Sequence, residues 1–164
     1  MASTARHMNN LKAMTDGYFC ERDMMSFVNK LNLKSHADIL VLDAPTAFEN
    51  ELNRLTGVRI SHHLLVANEV TFALLFVTRR AQLEQLSKAI ATRMQGDIAL
   101  WFAYPRGPQR NLTSDPIHDS DWNVLRGAGF DTMQQVLIDA NWSARRFRRR
   151  EFSGHQSGAV QSRA

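Results

Sequence analysis

Cysteine is nearly absent: Cys20 is the one thiol in 164 residues, so no disulfide can close within the chain and its sulfur chemistry does not call for an oxidising compartment. Long apolar runs are missing as well. The apolar stretches are short and interrupted, far below the roughly 20 residues of a membrane span, which excludes a transmembrane helix. Met1 to Asp16 is polar throughout and carries no continuous apolar segment of the signal-peptide kind, so the expected location is the cytoplasm. Excess charge is lacking over most of the molecule: six arginines and one glutamate lie from Ala144 onward, so the first 143 residues carry a net −1 against +4 for the whole chain. A general affinity for polyanions is therefore not a property of the body, and any such contact rests on one segment. Nor is there a Ser-His-Asp pattern or a pair of carboxylates spaced for acid–base work, and no catalytic residue is assigned.

What is present is an ordinary globular balance, 44 % hydrophobic and 22 % charged residues, enough to build one core in a chain of one-domain length. Residues 1–17 have no sustained apolar period and are expected to be flexible, 18–151 to form a single domain, and 152–164, rich in Ser, Gly and Gln, to be disordered. Within the domain, helix and strand alternate. Phe27, Val28 and Leu31 share a face of a short helix from about Arg22, and Ile39 to Leu42 is an apolar strand. Phe48, Leu52 and Leu55 follow helical spacing behind Thr46, and Val58 to Ile60 is a weaker strand. Val70 to Val77 (VTFALLFV) and Ile98 to Ala103 (IALWFA) are apolar almost throughout, as strands buried on both faces are. Between them a helix carries Leu83, Leu86, Ile90 and Met94, with Thr78 expected to cap its start and Gly96 to stop it. Pro116 to Arg126 is expected to be a helix capped by Ser114 or Asp115 and stopped near Gly127. Met133 to Ile138 and Trp142 to Arg148 read as two strands joined at hairpin distance.

Such alternation implies a Rossmann-like α/β fold, a three-layer sandwich around a mostly parallel sheet of about six strands that ends in an antiparallel hairpin. The methyltransferase version of that fold is similar in ending on an antiparallel strand. Gly17-Tyr18, ILVLDAPTAFENEL, LLFVTRRAQLEQL, IALWFAYPR, LTSD and DANWSARRFRRR, taken in order, resemble a family of short bacterial proteins known only as a domain of unknown function. That resemblance covers nearly all of Gly17 to Arg150; it implies the fold and a bacterial origin and supplies no catalytic residues. Phe19-Cys20-Glu21-Arg22, His36, Asp43, Arg145 and Arg148 stand where the family's pattern has other residue types.

Ligands of open α/β sheets sit at the carboxyl ends of the strands. A cofactor-binding turn of this kind needs glycines after the first strand, and ILVLDAPTAFENEL has none, while Pro45 removes an N–H. After the second strand, Ser61-His62-His63 offers no carboxylate for a ribose. Neither S-adenosylmethionine nor a dinucleotide is expected, and the cofactor expectation is none. Arg79 and Arg80 follow the third strand and Arg106 the fourth, so these three are the anion-binding candidates. Asp115, His118, Asp119 and Asp121 read as helix-start acids, with no metal site expected. Arg145, Arg146, Arg148, Arg149 and Arg150, with Phe147 among them, are the nucleic-acid candidates. The reading that results is a bacterial protein without catalysis that binds a protein partner or a small anion. The alternatives are a weak nucleic-acid binder and a divergent methyltransferase-like enzyme. The oligomeric state is not legible.

Overall fold

A computed structural model describes residues 28–66 and 70–153. The flexible segment expected at 1–17, the start of the first helix, Cys20 and the tail beyond Ser153 lie outside the described residues. Six strands form one sheet: β1 Asp38–Leu42, β2 Arg59–Ser61, β3 Phe72–Phe76, β4 Ala99–Pro105, β5 Phe130–Leu137 and β6 Trp142–Arg149. Their order is β2-β1-β3-β4-β6-β5. β2, β1, β3 and β4 run parallel, whereas β6 is antiparallel to both of its neighbours. This is the expected mostly parallel, Rossmann-like sheet with its antiparallel hairpin.

The continuous apolar runs follow from burial on both faces. Along β3, Ala73 and Leu75 point into one core, with Leu83, Ile90, Trp122 and Leu125, while Phe72, Leu74 and Phe76 point into the other, with Leu31, Phe48 and Leu52. The first core lies under α2 (Arg80–Arg93), a 3-10 turn (Asp119–Trp122) and α3 (Asn123–Gly127); the second lies under residues 28–35 and α1 (Thr46–Leu52). A short α4 (Arg150–Ser153) follows β6 directly. Among the described residues no helix is long and apolar enough to cross a membrane.

Two expected caps are replaced. Thr78 does not cap α2: the position before its first residue is Arg79, which makes no side-chain cap bond, and Asp115 arrives from a distant loop instead. The Asp115 carbonyl accepts from Arg80 N and its carboxylate accepts from Ala81 N at 3.1 Å, filling two of the donors a helix start leaves open. Having spent its side chain there, Asp115 cannot start the next helix. Pro116 therefore lies outside helix, and the segment begins at His118 with a 3-10 turn in which Asp121 accepts from His118 N at 2.8 Å. Gly129, at φ 95, makes the bend from α3 into β5, a left-handed step that favours glycine.

Candidate functional site

β1 and β3 are neighbours, and the chain leaves β1 toward β2 on one side and continues from β3 toward β4 on the other, so the crevice between β1 and β3 is the switch point of this sheet. The turn after β1 contains no glycine, yet Asp43 sits at φ 57. Aspartate is among the few L-residues that tolerate the left-handed region, because its short polar side chain can bond locally. Gln82 of α2 spans the crevice: its amide nitrogen donates to Asp43 Oδ2 at 2.9 Å and to the Phe76 carbonyl at 3.3 Å, and its oxygen accepts from Thr78 N at 3.0 Å. On the other side of β1, His62 follows the end of β2 and its Nδ1 lies 3.0 Å from the Val41 carbonyl. A carbonyl only accepts, so in that bond Nδ1 carries the hydrogen, and Nε2 of the neutral ring is left as an acceptor.

A second concavity, about 460 Å³, opens at the far end of β4 and is lined by Tyr104, Arg106, Asp119, Gln135, Ser143 and the Val136-Leu137 end of β5. Arg145 stands behind this lining, with its guanidinium 3.3 Å from Asp119 Oδ1, 3.1 Å from Gln135 Oε1 and 5.0 Å over the Trp122 ring. Tyr104 stands 5.0 Å from the same ring, and burial pushes its phenol up from the usual tyrosine range, with Arg145 acting the other way. Ser143 is buried opposite it in the β4–β6 register.

The three arginine candidates at the strand ends part company. Arg106 lines this cavity, and neither Arg79 nor Arg80 is among the lining residues. Arg80 reaches Glu84 at 3.2 Å and Asp121 at 3.6 Å. Arg79 is exposed at the start of α2, whose first donors are held by Asp115. Asp115, His118, Asp119 and Asp121 are dispersed among these cap and ion-pair duties, and no group of metal-ligating side chains occurs among the described residues.

In the carboxyl-terminal run, Arg145 is held as described, Arg149 donates to the Ala91 and Met94 carbonyls at the end of α2, and Arg150 reaches Asp131 and the Arg126 carbonyl. Arg146 is half-buried, with an Nε that has no acceptor among the described residues. Arg148 holds Asp97 with two bonds, 2.7 and 2.6 Å. Phe147 is a core residue, with a ring 5.9 Å from Phe102. The hydrogen bond from Arg148 holds the Asp97 carboxyl below the usual aspartate range. A carboxylate depressed in the folded state contributes stability above its unfolded pKa and loses it as pH falls through the folded value. Acid titration followed by circular dichroism should therefore show a steeper loss below about pH 4 for the native chain than for Asp97→Asn, with a small difference because the pair is partly exposed.

No family model matches the sequence, and no characterised protein is similar to it at a significant level. Solved structures do match the fold. The N-methyltransferase NodS from Bradyrhizobium japonicum WM9 superposes with a TM-score of 0.53 at 12 % identity, over 79 % of this chain and 96 % of that one. Its complex with S-adenosyl-l-homocysteine gives 0.52, again at 12 % identity, over 79 % and 87 %. Human N-acetylserotonin methyltransferase in complex with SAM gives 0.53 at 12 % identity, over 77 % of this chain and 51 % of that one. At such identities the likeness establishes the fold, the Rossmann-like fold of methyltransferases. It corrects the reading of a protein without catalysis that binds a partner or a small anion, because the solved structures that share this fold are methyltransferases. The physical reason the sequence misled is local. The expectation of no cofactor rests on the glycines that the turn after β1 lacks, whereas Asp43 adopts the left-handed step in their place.

Proposed function

We propose that this chain is a divergent methyltransferase-like enzyme that receives an S-adenosyl methyl donor at the carboxyl ends of β1 and β2. The observation that carries the proposal is the left-handed turn at Asp43, made without glycine at the switch point of a methyltransferase fold. The residues present fit the donor. His62 Nε2 offers an acceptor for a ribose hydroxyl, and Asp43 offers a carboxylate whose Oδ2 alone is engaged by Gln82. When bound, the donor supplies an electrophilic methyl group on a sulfonium. What the chain supplies is position. Gln82 fixes the Asp43 carboxylate against β3 and the Val41 carbonyl fixes the His62 ring; Asp43 directly follows β1 and Val41 lies within it, a buried strand that cannot shift without opening the core. A cytoplasmic setting belongs to the same proposal and is supported by the single cysteine.

Titration calorimetry with S-adenosylhomocysteine tests it. The native chain is expected to bind, and His62→Ala to bind about tenfold more weakly, the worth of one lost hydrogen bond to the ligand. Because His62 is exposed, the variant should melt close to the native chain. Absence of heat and of any thermal shift at millimolar ligand sinks the proposal.

A further inference from the structure

We propose that the cavity beside β4, β5 and β6 seats a carboxylate group carried by the methyl-accepting substrate, with Arg106 as its counter-ion; the inference rests on the methyltransferase-like reading above. Arg145 is already committed to Asp119, Gln135 and the Trp122 ring. Arg106 is the free cation of this cavity: its backbone is anchored by donation from Arg106 N to the Asn141 carbonyl at 2.8 Å, and its guanidinium has no carboxylate partner among the described residues. Of the charged lining residues, Asp119 is paired with Arg145 and Arg106 is left to a ligand, while the Lys30 ammonium at the edge of the cavity is taken up by the Leu137 and Ile138 carbonyls. That balance takes a monoanion. A phosphate dianion would exceed it and would bring its second charge against the Asp119 carboxylate, whose side chain is 96 % exposed. The planar guanidinium also matches a carboxylate with two parallel bonds.

The rest of the lining describes the remainder of the ligand. Tyr104 and Ser143, whose hydroxyls bond each other, form a polar wall beside Arg106, whereas Val136 and Leu137 make an apolar rim, and Leu137 is an exposed large hydrophobic at 48 %. A volume of about 460 Å³ falls in the range of small-molecule sites. The chemical class is a small organic acid with an aromatic or aliphatic body. Its carboxylate is the anchor, and the methyl-accepting atom lies elsewhere on it.

Benzoate, neutral benzamide and inorganic phosphate can be titrated into the isotope-labelled full chain and followed by amide chemical shifts. Benzoate is expected to move the Tyr104, Arg106 and Ser143 amides and to bind at least about tenfold more tightly than benzamide; Arg106→Gln should abolish that preference while Arg79→Gln preserves it. An unchanged spectrum elsewhere shows that Arg106→Gln is folded. Equal binding of benzoate and benzamide, an unaffected Arg106→Gln, or phosphate outcompeting benzoate would each overturn the proposal. S-adenosylhomocysteine, added separately, reads the Asp43 and His62 amides. Shifts from it without shifts from benzoate refute the carboxylate seat alone, and shifts from benzoate without shifts from it refute the methyltransferase-like reading and, with it, the role of the bound acid as a methyl acceptor.

Discussion

Trp122→Ala is expected to lower the free energy of unfolding by about 3–5 kcal/mol, as large-to-small changes at packed aromatic sites do. Trp122 is 4 % exposed and stacks on Phe147 at 5.6 Å and 29°, meets Phe102 edge-on at 5.9 Å, and carries Tyr104 at 5.0 Å. The 3-10 turn that holds it has little else to keep it on the sheet, so the cavity left behind would not be filled by collapse of a long helix. Urea denaturation measures the loss. Trp122→Phe should retain much of the native stability, since the ring contacts survive in smaller form. The substitution also removes the π-face under Arg145 and the support behind Tyr104, so benzoate binding should fall with stability. A cost below about 1 kcal/mol would mean that residues 119–122 are not packed as described.

Arg149→Ala is expected to cost about 2 kcal/mol. The Arg149 guanidinium donates to the Ala91 and Met94 carbonyls, which the end of α2 leaves without helical partners, and lies 5.0 Å over the Phe130 ring. Removing it leaves part-buried carbonyls unmatched, and the favourable end of the α2 dipole loses its cation. Arg149→Lys should recover part of the loss, because an ammonium reaches fewer carbonyls at once. Thermal denaturation decides between this role and a contact with polyanions. If Arg149→Ala leaves the melting temperature unchanged and abolishes salt-sensitive binding to single-stranded nucleic acid, the run serves that contact, and its bonds to α2 carry little weight.

β3 and β4 were legible because burial on both faces writes itself into the chain as an uninterrupted apolar run. α2 was legible because Leu83 and Ile90 keep helical spacing on a single face. The helix expected from Pro116 was not, because its fate depended on Asp115, and the chain uses that side chain 34 residues upstream at Ala81. Arg106 could be placed at a strand end by counting. Its separation from Arg79 and Arg80 could not, since it depends on how the β5–β6 hairpin closes over the end of β4.

The sequence by itself determined the strand and helix order, the parallel sheet with its antiparallel close, and the concentration of cationic charge near the carboxyl terminus. These are properties of runs and periods, set by what a segment must bury. Tertiary structure alone decided what that charge does and which side chains meet at the strand ends. Whether an arginine meets water or a carbonyl, and whether His62 presents an acceptor, depends on groups such as Met94 and Val41 that are distant along the chain and come into reach only when the sheet is assembled. A left-handed Asp43 belongs with these: the residue type permits that conformation, and the packing of β1 against β3 and the bond from Gln82 select it.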